Sequence, residues 1–405
     1  MNLPRSSSRP VASPGLNNNS RQRRAGAKPG AAGLLRRNLR SRRHVSAGHT
    51  SFARTGLADR VASDARWFPF DFDPRSASVN FVETDWGVLA AQPFLDMRWD
   101  LRMARRERAM LTELNGNPAL GESVPALNFI WHTGFCCSTL LAHAITARRH
   151  NLSLCEPKIL ADLADVKRTG MFLLDRGLAE LPGTALRLLA RSAGGTQATI
   201  KPAPAANYLL PEAARLSNGK MLFLFSDCRS FVISIARLGD DGWRYVRHMF
   251  ATLLRSGHLG AEWTGPRLWD LSDLEVAAFV WHLQIDEFLR DWRLLGNDRA
   301  RSLDCDAFLA APQETLTRLN EFFGLGLAPK EISAMVAGPL FQRKAKGGHA
   351  PFDATQRQAE YHAAAKSLGA ELDRCVAWSY ETRPGTPRTT PLPAALMPID
   401  KAYLP

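Results

Sequence analysis

The feature that most constrains the fold of this chain is a series of short apolar runs that alternate with helical patterns. The runs are "NFIWH" at 128–132, "LSLC" at 152–155, "ATIK" at 198–201, "MLFLF" at 221–225 and "RSLD" at 301–304. The clearest is "MLFLF", a continuous apolar run of the kind found in a strand that is covered on both faces. Helical segments between successive strands make those strands parallel. The sequence therefore predicts an α/β fold with three layers, αβα, around a central parallel sheet.

Charge is concentrated at the start of the chain. The formal net charge is +13, and residues 1–50 contain eleven Lys and Arg but no Asp or Glu, which leaves +2 for everything else. Such a segment buries too little apolar surface to fold alone. We expect a disordered basic arm at 1–60, one domain at 61–380 and a Pro-rich tail at 381–405. The arm fits a polyanion-binding segment, an organelle-targeting peptide or a dispensable extension.

Composition also excludes several classes of partner. No apolar run approaches the roughly 20 residues of a membrane span, so no transmembrane segment is predicted. The six cysteines show no CxxC spacing and no adjacent histidine cluster, which indicates no metal site and favours a reduced, cytoplasmic setting. Aromatic and basic residues do not alternate as on a single-strand platform, so no specific nucleic acid is expected.

Two local structures are less clear in the sequence. The charged stretch "RMARRERAMLTEL" at 102–114 is interpreted as a helix, and the helical pattern at 171–193 is expected to break near Pro182 and Gly183.

The loop "HTGFCCST" after the first apolar run is the first candidate site. Gly134 suits a tight turn, and Ser138 and Thr139 open the following helix. Helix N-termini attract anions through their unpaired N–H groups, so this loop could hold a phosphate or sulfate. The alternative is that Ser138 only caps the helix, because the loop has no lysine.

Basic residues define two further candidates. "LFSDCRSFVISIARLG" ends a strand and places Arg229 and Ser234 on the next helix. "FQRKAKGGHAPFD" combines Arg343, Lys344 and Lys346 with Gly347 and Gly348, a composition that suits a doubly charged phosphate. A solvated helix face and a plain surface loop are the alternatives.

Taken in order, these motifs resemble the sulfotransferase family over residues 126–380, in the manner of its divergent bacterial branch. "SLDCDAFLAAPQETLTRLNEFFGL" is similar to that family's pattern of strand, "DFLxxP", helix and "FFGL". The resemblance implies an architecture like that of P-loop nucleoside triphosphate hydrolases. It also implies transfer of a sulfonate from 3′-phosphoadenosine 5′-phosphosulfate (PAPS) to a hydroxyl or amine of a small molecule or glycan.

The resemblance assigns a role to each candidate. The 5′-phosphosulfate loop corresponds to Gly134, Phe135, Cys136, Cys137, Ser138 and Thr139, and the 3′-phosphate segment to Ser226 through Ser234. Phe135 stands where the family has a Lys or Arg, and Ser226 stands where it has the 3′-phosphate arginine. Arg229, three positions later, is the expected replacement for that arginine, with Arg343 and Lys344 in support.

Three residues at strand ends are the expected catalytic groups. Lys201 and His132 are expected to stabilise the departing phosphate, where negative charge develops. Glu156, just after the second strand, is the expected base; alternatively, it is a carboxylate that stabilises the start of a helix. No metal is expected, because the mixed anhydride of PAPS is already activated.

Two rival functions remain at this point. A P-loop kinase requires a loop lysine followed directly by a hydroxyl, and neither is present. A non-catalytic sulfotransferase-fold protein that binds a nucleotide or a protein partner is favoured by Phe135 and Ser226. The retained Ser138, Thr139 and Ser234 favour an enzyme.

Overall fold

The computed structural model describes residues 56–257, 268–296, 298–342, 354–383 and 392–398, with only the backbone at 354–358. They belong to one unit, Ala53–Pro405. The predicted arm at 1–60 and tail at 381–405 lie largely outside these ranges.

A five-stranded parallel sheet forms the centre of the domain. Its strands are β4 (Asn128–His132), β5 (Asn151–Cys155), β6 (Gln197–Lys201), β7 (Met221–Phe225) and β8 (Ala300–Asp304), arranged in the order β5-β6-β4-β7-β8. Since all five are parallel, their carboxyl ends share one edge, where His132 pairs with Leu224 and Cys155 with Lys201. The predicted parallel sheet is confirmed.

Helices cover both faces of this sheet. Alternate strand residues enter two separate cores: Phe129 and Trp131 of β4 lie in one, and Ile130 lies in the other. The first core is covered mainly by α5 (Lys158–Arg168), α7 (Arg176–Arg191), α8 (Leu210–Leu216), α9 (Cys228–Ala236), α10 (Asp240–Arg255) and α11 (Asp273–Trp292). The second is covered by α4 (Ser138–Ala144), α12 (Cys305–Ala310), α13 (Pro312–Phe323) and α14 (Pro329–Ala337). The three-layer αβα prediction is confirmed.

A small antiparallel sheet precedes the main one. It contains β1 (Trp67–Asp73), β2 (Ser78–Glu83) and β3 (Arg106–Met110), in that order. The short helices α1 (Leu57–Ser63) and α3 (Leu111–Leu114) contact β3, whereas α2 (Trp86–Ala91) contacts β5 of the main sheet. The helix predicted at 102–114 is therefore wrong, because pairing with β2 overrides the helical pattern. Ala109 faces the core, while Arg106 and Arg108 point outward along an edge strand, where charges discourage further pairing.

The helix break expected near Pro182 lies elsewhere. The chain forms α6 (Met171–Leu174) and then α7, and Pro182 lies inside α7. Asp175 separates the two helices because its side chain accepts a hydrogen bond from the Leu178 N–H at 3.0 Å and so caps α7.

The C-terminal part adds a last long helix. This helix, α15 (Ala354–Thr382), is interrupted at Gly369, whose φ is +53°. Among the described helices, none combines the length and the apolarity needed to cross a membrane.

Candidate functional site

The loop between β4 and α4 has an unusual backbone. Gly134, Phe135 and Cys137 have φ angles of +83°, +54° and +60°, in the left-handed region that side chains disfavour. Cys137 is the N-cap residue of α4, without a side-chain cap, so Ser138 is the first helical residue and not the cap. The alternative explanation of Ser138 as a simple N-cap is therefore wrong.

His132 fixes the start of this loop. Its Nδ1 accepts a hydrogen bond from the Gly134 N–H at 3.0 Å, and its Nε2 lies 3.0 Å from the Pro202 carbonyl. An acceptor at Nδ1 and a carbonyl at Nε2 require the neutral tautomer with the proton on Nε2. The ammonium of Lys201, 3.4 Å from Nε2, is therefore a neighbour of the ring and not a hydrogen-bond donor to it.

Two buried hydroxyls at this edge lack partners. Thr139, in the first turn of α4, is 2% exposed, and Ser226, directly after β7, is 1% exposed. Within the described residues, neither hydroxyl oxygen has a hydrogen-bond partner. An unsatisfied buried polar group costs about 1–3 kcal/mol. The backbone N–H groups of Ser138 and Thr139 lie in the same first turn, where no acceptor within the helix exists. The loop is thus able to donate to an anion.

Lys201 and Glu156 form a buried ion pair beside the loop. Lys201 Nζ lies 2.6 Å from Glu156 Oε1, and the lysine side chain is fully buried. The Glu156 N–H also donates to the Lys201 carbonyl at 2.6 Å, and Glu156 has a φ of +53°. The parallel pairing of β5 and β6 places the two residues together, because one strand ends at Lys201 and the other ends one residue before Glu156.

Arg98 completes this cluster, although no motif in the sequence indicates it. Its guanidinium lies 2.6 Å from Glu156 Oε2 and stacks on Phe94, 3.3 Å from the ring centroid. The segment that carries Arg98 is held at the end of β5 by Leu95, whose N–H donates to the Cys155 carbonyl and whose carbonyl accepts from the Lys158 N–H. Arg98 also pairs with Asp96 at 2.5 Å.

The charges around Glu156 determine its protonation. Burial raises the pKa of the Glu156 carboxyl, but attraction to Lys201 and Arg98 lowers it by more, so the net pKa lies below the ordinary value. Glu156 is therefore ionised at neutral pH, and both of its oxygens accept hydrogen bonds from cationic groups. This environment makes it a weak proton acceptor.

An aromatic cluster surrounds Phe135, at the position where the resemblance places a Lys or Arg. The Phe135 ring packs edge-on against Phe231 and Tyr245, with centroids 6.0 and 5.3 Å away. A Cβ atom on Gly134 would lie 3.2 Å from the Tyr245 hydroxyl. Burial, followed by the charge of Glu156, raises the pKa of Tyr245, so its hydroxyl keeps its proton beside the loop. Sequence reasoning missed Tyr245 because it lies on α10, over 100 positions away.

The second predicted phosphate segment is arranged differently. Arg229 pairs with Asp373, and the Ser234 hydroxyl donates to the Ser230 carbonyl at 2.8 Å and contacts the Tyr361 hydroxyl. Both side chains belong to α9, and these contacts connect them to residues of α15. Arg343, Lys344, Lys346, Gly347 and Gly348 lie outside the described residues. In the described part of the chain, no group of three or more His, Cys, Asp or Glu is suited to a metal ion.

This chain has weak similarity to two solved sulfotransferase domains. No family model and no curated protein matches the chain. Among solved structures, the sulfotransferase domain from the curacin biosynthetic pathway matches with a TM-score of 0.36 and 14% identity, over 61% of this chain and 98% of that one. The sulfotransferase domain from the Synechococcus PCC 7002 olefin synthase matches with a TM-score of 0.37 and 14% identity, over 65% and 95%.

Proposed function

We propose that this protein transfers a sulfonate group from PAPS to a hydroxyl or amine on a small molecule or glycan. One observation carries the proposal: a fully buried lysine, Lys201, lies beside a donor-rich loop at the carboxyl edge of a parallel sheet. Ligands of such sheets bind at this edge. The Thr139 hydroxyl, which has no hydrogen-bond partner among the described residues, fits an anionic group at the loop.

In this proposal the loop positions the donor. Gly134, Phe135, Cys136 and Cys137 shape the cradle, and the N–H groups and hydroxyls of Ser138 and Thr139 donate to the 5′-phosphosulfate. A bond forms between the acceptor atom and sulfur while the bond from sulfur to the bridging phosphate oxygen breaks. Lys201 faces the charge that develops on that oxygen, and a fixed charge in a water-poor site is effective there.

His132 and Glu156 act around Lys201. Neutral His132 holds the loop through Gly134 and presents its Nε2–H near the ammonium. Glu156 remains our proposed base, but its two ion pairs and lowered pKa also favour a second role, that of holding Lys201 in place.

The grip on the 3′-phosphate is proposed for residues of the second segment and the basic loop. These are Arg229, Ser234, Arg343, Lys344, Lys346, Gly347 and Gly348. Arg229 would exchange its exposed partner Asp373 for the phosphate; such exposed ion pairs contribute little and separate easily. We further propose a reducing, cytoplasmic setting, and contact of the basic arm with polyanions.

A non-catalytic nucleotide-binding or protein-binding role is the alternative. Phe135 favours this alternative, because its ring packs against Phe231 and Tyr245 at the position where a cation would face the ligand. The loop therefore provides no side-chain cation.

Calorimetry with adenosine 3′,5′-bisphosphate, the product nucleotide, tests the binding half of the proposal. We expect binding that requires the 3′-phosphate, so that AMP and ATP bind more weakly. Thr139→Ala should weaken binding, whereas Thr317→Ala, an exposed change on α13, should not. If none of the three nucleotides binds, the proposal is refuted.

A transfer assay tests the catalytic half. With labelled PAPS and a panel of phenols, amines and sugars, Lys201→Met should abolish transfer while circular dichroism shows an intact fold. Lys158→Met, which removes a cation from the nearby start of α5, is the matched control. Nucleotide binding without transfer to any acceptor would favour the non-catalytic alternative.

A further inference from the structure

Two thiols from distant parts of the chain meet at the edge of the candidate site. Cys137 ends the loop, and Cys305 begins α12, directly after β8. Their Sγ atoms are 3.9 Å apart, although the residues are 168 positions apart in the chain. Cys305 is fully buried, whereas Cys137 is partly exposed. A solvent-borne reagent can therefore reach one thiol, and the second lies directly behind it.

The contact between Cys137 and Cys305 spans one strand of the sheet. β4 and β8 are not neighbours, since β7 lies between them. Strands are spaced by about 4.8 Å, so β4 and β8 are roughly 10 Å apart, and the loop reaches over the end of β7 to meet Cys305. A covalent bond between the two sulfur atoms would cross the carboxyl end of β7, next to the Ser226 hydroxyl, which has no hydrogen-bond partner in the described part of the chain.

We propose that Cys137 and Cys305 form a reversible disulfide, and that this bond weakens anion binding by the loop. The effect on binding rests on the proposed function, whereas formation of the bond does not. A disulfide is about 2.05 Å long, so the sulfur atoms must approach by about 1.9 Å. Cys137 is the N-cap of α4, and its displacement moves the adjacent N–H groups of Ser138 and Thr139 that would donate to the anion.

The oxidant is a low-molecular-weight disulfide such as glutathione disulfide. The Cys137 thiolate attacks one of its sulfurs, forming a mixed disulfide and releasing one glutathione. The Cys305 thiolate then attacks the Cys137 sulfur and releases the second glutathione. The two cysteine protons end on the two glutathione thiols, so the protein loses two hydrogens and the oxidant gains two.

Mass spectrometry of the full chain tests bond formation. After incubation with glutathione disulfide and alkylation, we expect a peptide pair that links Cys137 to Cys305 and a loss of two hydrogens. Cys136→Ser is the matched control, because the Cys136 thiol is buried and donates to the Leu224 carbonyl at 3.5 Å. This variant should still form the link, whereas Cys137→Ser and Cys305→Ser should not. A link between Cys136 and Cys137, or no link at all, would overturn the proposal.

Binding of adenosine 3′,5′-bisphosphate tests the effect of the bond. Oxidised protein should bind at least about tenfold more weakly than reduced protein, the scale of one lost charge-assisted hydrogen bond, and dithiothreitol should restore affinity. Cys137→Ser should bind equally under both conditions. Equal affinity of the linked and reduced forms would refute the weakening of anion binding. If reduced protein does not bind the nucleotide, the proposed function fails, and the mass-spectrometric result still decides whether the disulfide exists.

Discussion

Removing the two members of the Lys201–Glu156 pair one at a time should destabilise the protein by unequal amounts. In Glu156→Gln, the fully buried ammonium of Lys201 loses its carboxylate, 2.6 Å away, and we expect a loss of about 3–5 kcal/mol. In Lys201→Met, the Glu156 carboxylate retains the half-exposed Arg98 guanidinium at 2.6 Å. The expected loss is then about 1–3 kcal/mol. Stabilities of 5–15 kcal/mol are typical, so both losses are large enough to measure.

The pH dependence of stability shows whether the loss in Glu156→Gln comes from the missing carboxylate charge. Burial raises the pKa of Glu156, and Lys201 and Arg98 lower it further than burial raises it. A carboxyl whose pKa is lower in the folded state stabilises the fold above its unfolded pKa, and this contribution disappears as the pH falls through the folded pKa. The difference between wild type and Glu156→Gln should therefore be complete at pH 7 and shrink as the pH falls below about 4.3.

Urea unfolding followed by circular dichroism at pH 7 and pH 4 measures these differences. The double variant Glu156→Gln/Lys201→Met should lose less than the sum of the single losses, because it leaves no unpaired buried charge. Lys158→Met breaks a more exposed pair with Asp162, with side chains 22% and 19% exposed, and should cost at most about 1 kcal/mol. Equal losses in the two single variants, or strict additivity in the double variant, would refute the assigned charges.

Two further predictions concern the same edge of the sheet. Burial, followed by the charge of Asp306, raises the pKa of Asp304 to about 7. The folded state therefore binds a proton more tightly than the unfolded chain does. As a result, wild type should lose stability as the pH rises from about 4 to 7. Asp304→Asn retains a capping side chain and should become more stable relative to wild type over that range; urea midpoints that change in parallel at pH 5 and pH 8 would contradict this. Gly134→Ala should lower the free energy of unfolding by about 1–3 kcal/mol because the residue has a φ of +83°. The new Cβ would also lie 3.2 Å from the Tyr245 hydroxyl, and this close contact should add to the loss. Gly116→Ala has a φ of +71° and open space, so a thermal shift as large as that of Gly134→Ala would exclude a role for Tyr245.

The parallel sheet could be predicted because short strand-like runs alternate with helical patterns, and the run that forms β7 is apolar at every position. The residues at its carboxyl edge followed from the same pattern, because each of His132, Glu156 and Lys201 stands at or next to the end of a parallel strand. The strand order β5-β6-β4, which the sequence did not indicate, then places Lys201 between the other two. Their roles stay predictions. The error at β3 has the opposite cause, since its charged residues carry a helical pattern and only pairing with β2 makes them a strand.

Arg98 and Tyr245 could not be found from the sequence. Each reaches the site from an element outside the strand-loop-helix units, and each is placed by contacts between segments far apart in the chain. Arg98 depends on the backbone bonds of Leu95 to the end of β5, and Tyr245 depends on α10 packing beside the loop. Local patterns indicate where a strand ends, but not which distant side chain covers that end.

Arg98 also explains how a buried lysine could serve an anionic ligand. The described cluster contains two cations, Arg98 and Lys201, and two anions, Glu156 and Asp96, so its formal charges cancel. In the proposed function, a ligand phosphate must therefore compete with Glu156 for the lysine ammonium. Glu156 need not lose all its partners in this exchange, because Arg98 holds its other oxygen. The exchange thus leaves no bare carboxylate in the protein, and Lys201 gains a phosphate partner for the carboxylate it gives up. By this exchange of partners, a site that is neutral while empty is able to present the positive charge of Lys201 to the ligand. The loop itself, with Phe135, supplies no such side-chain charge.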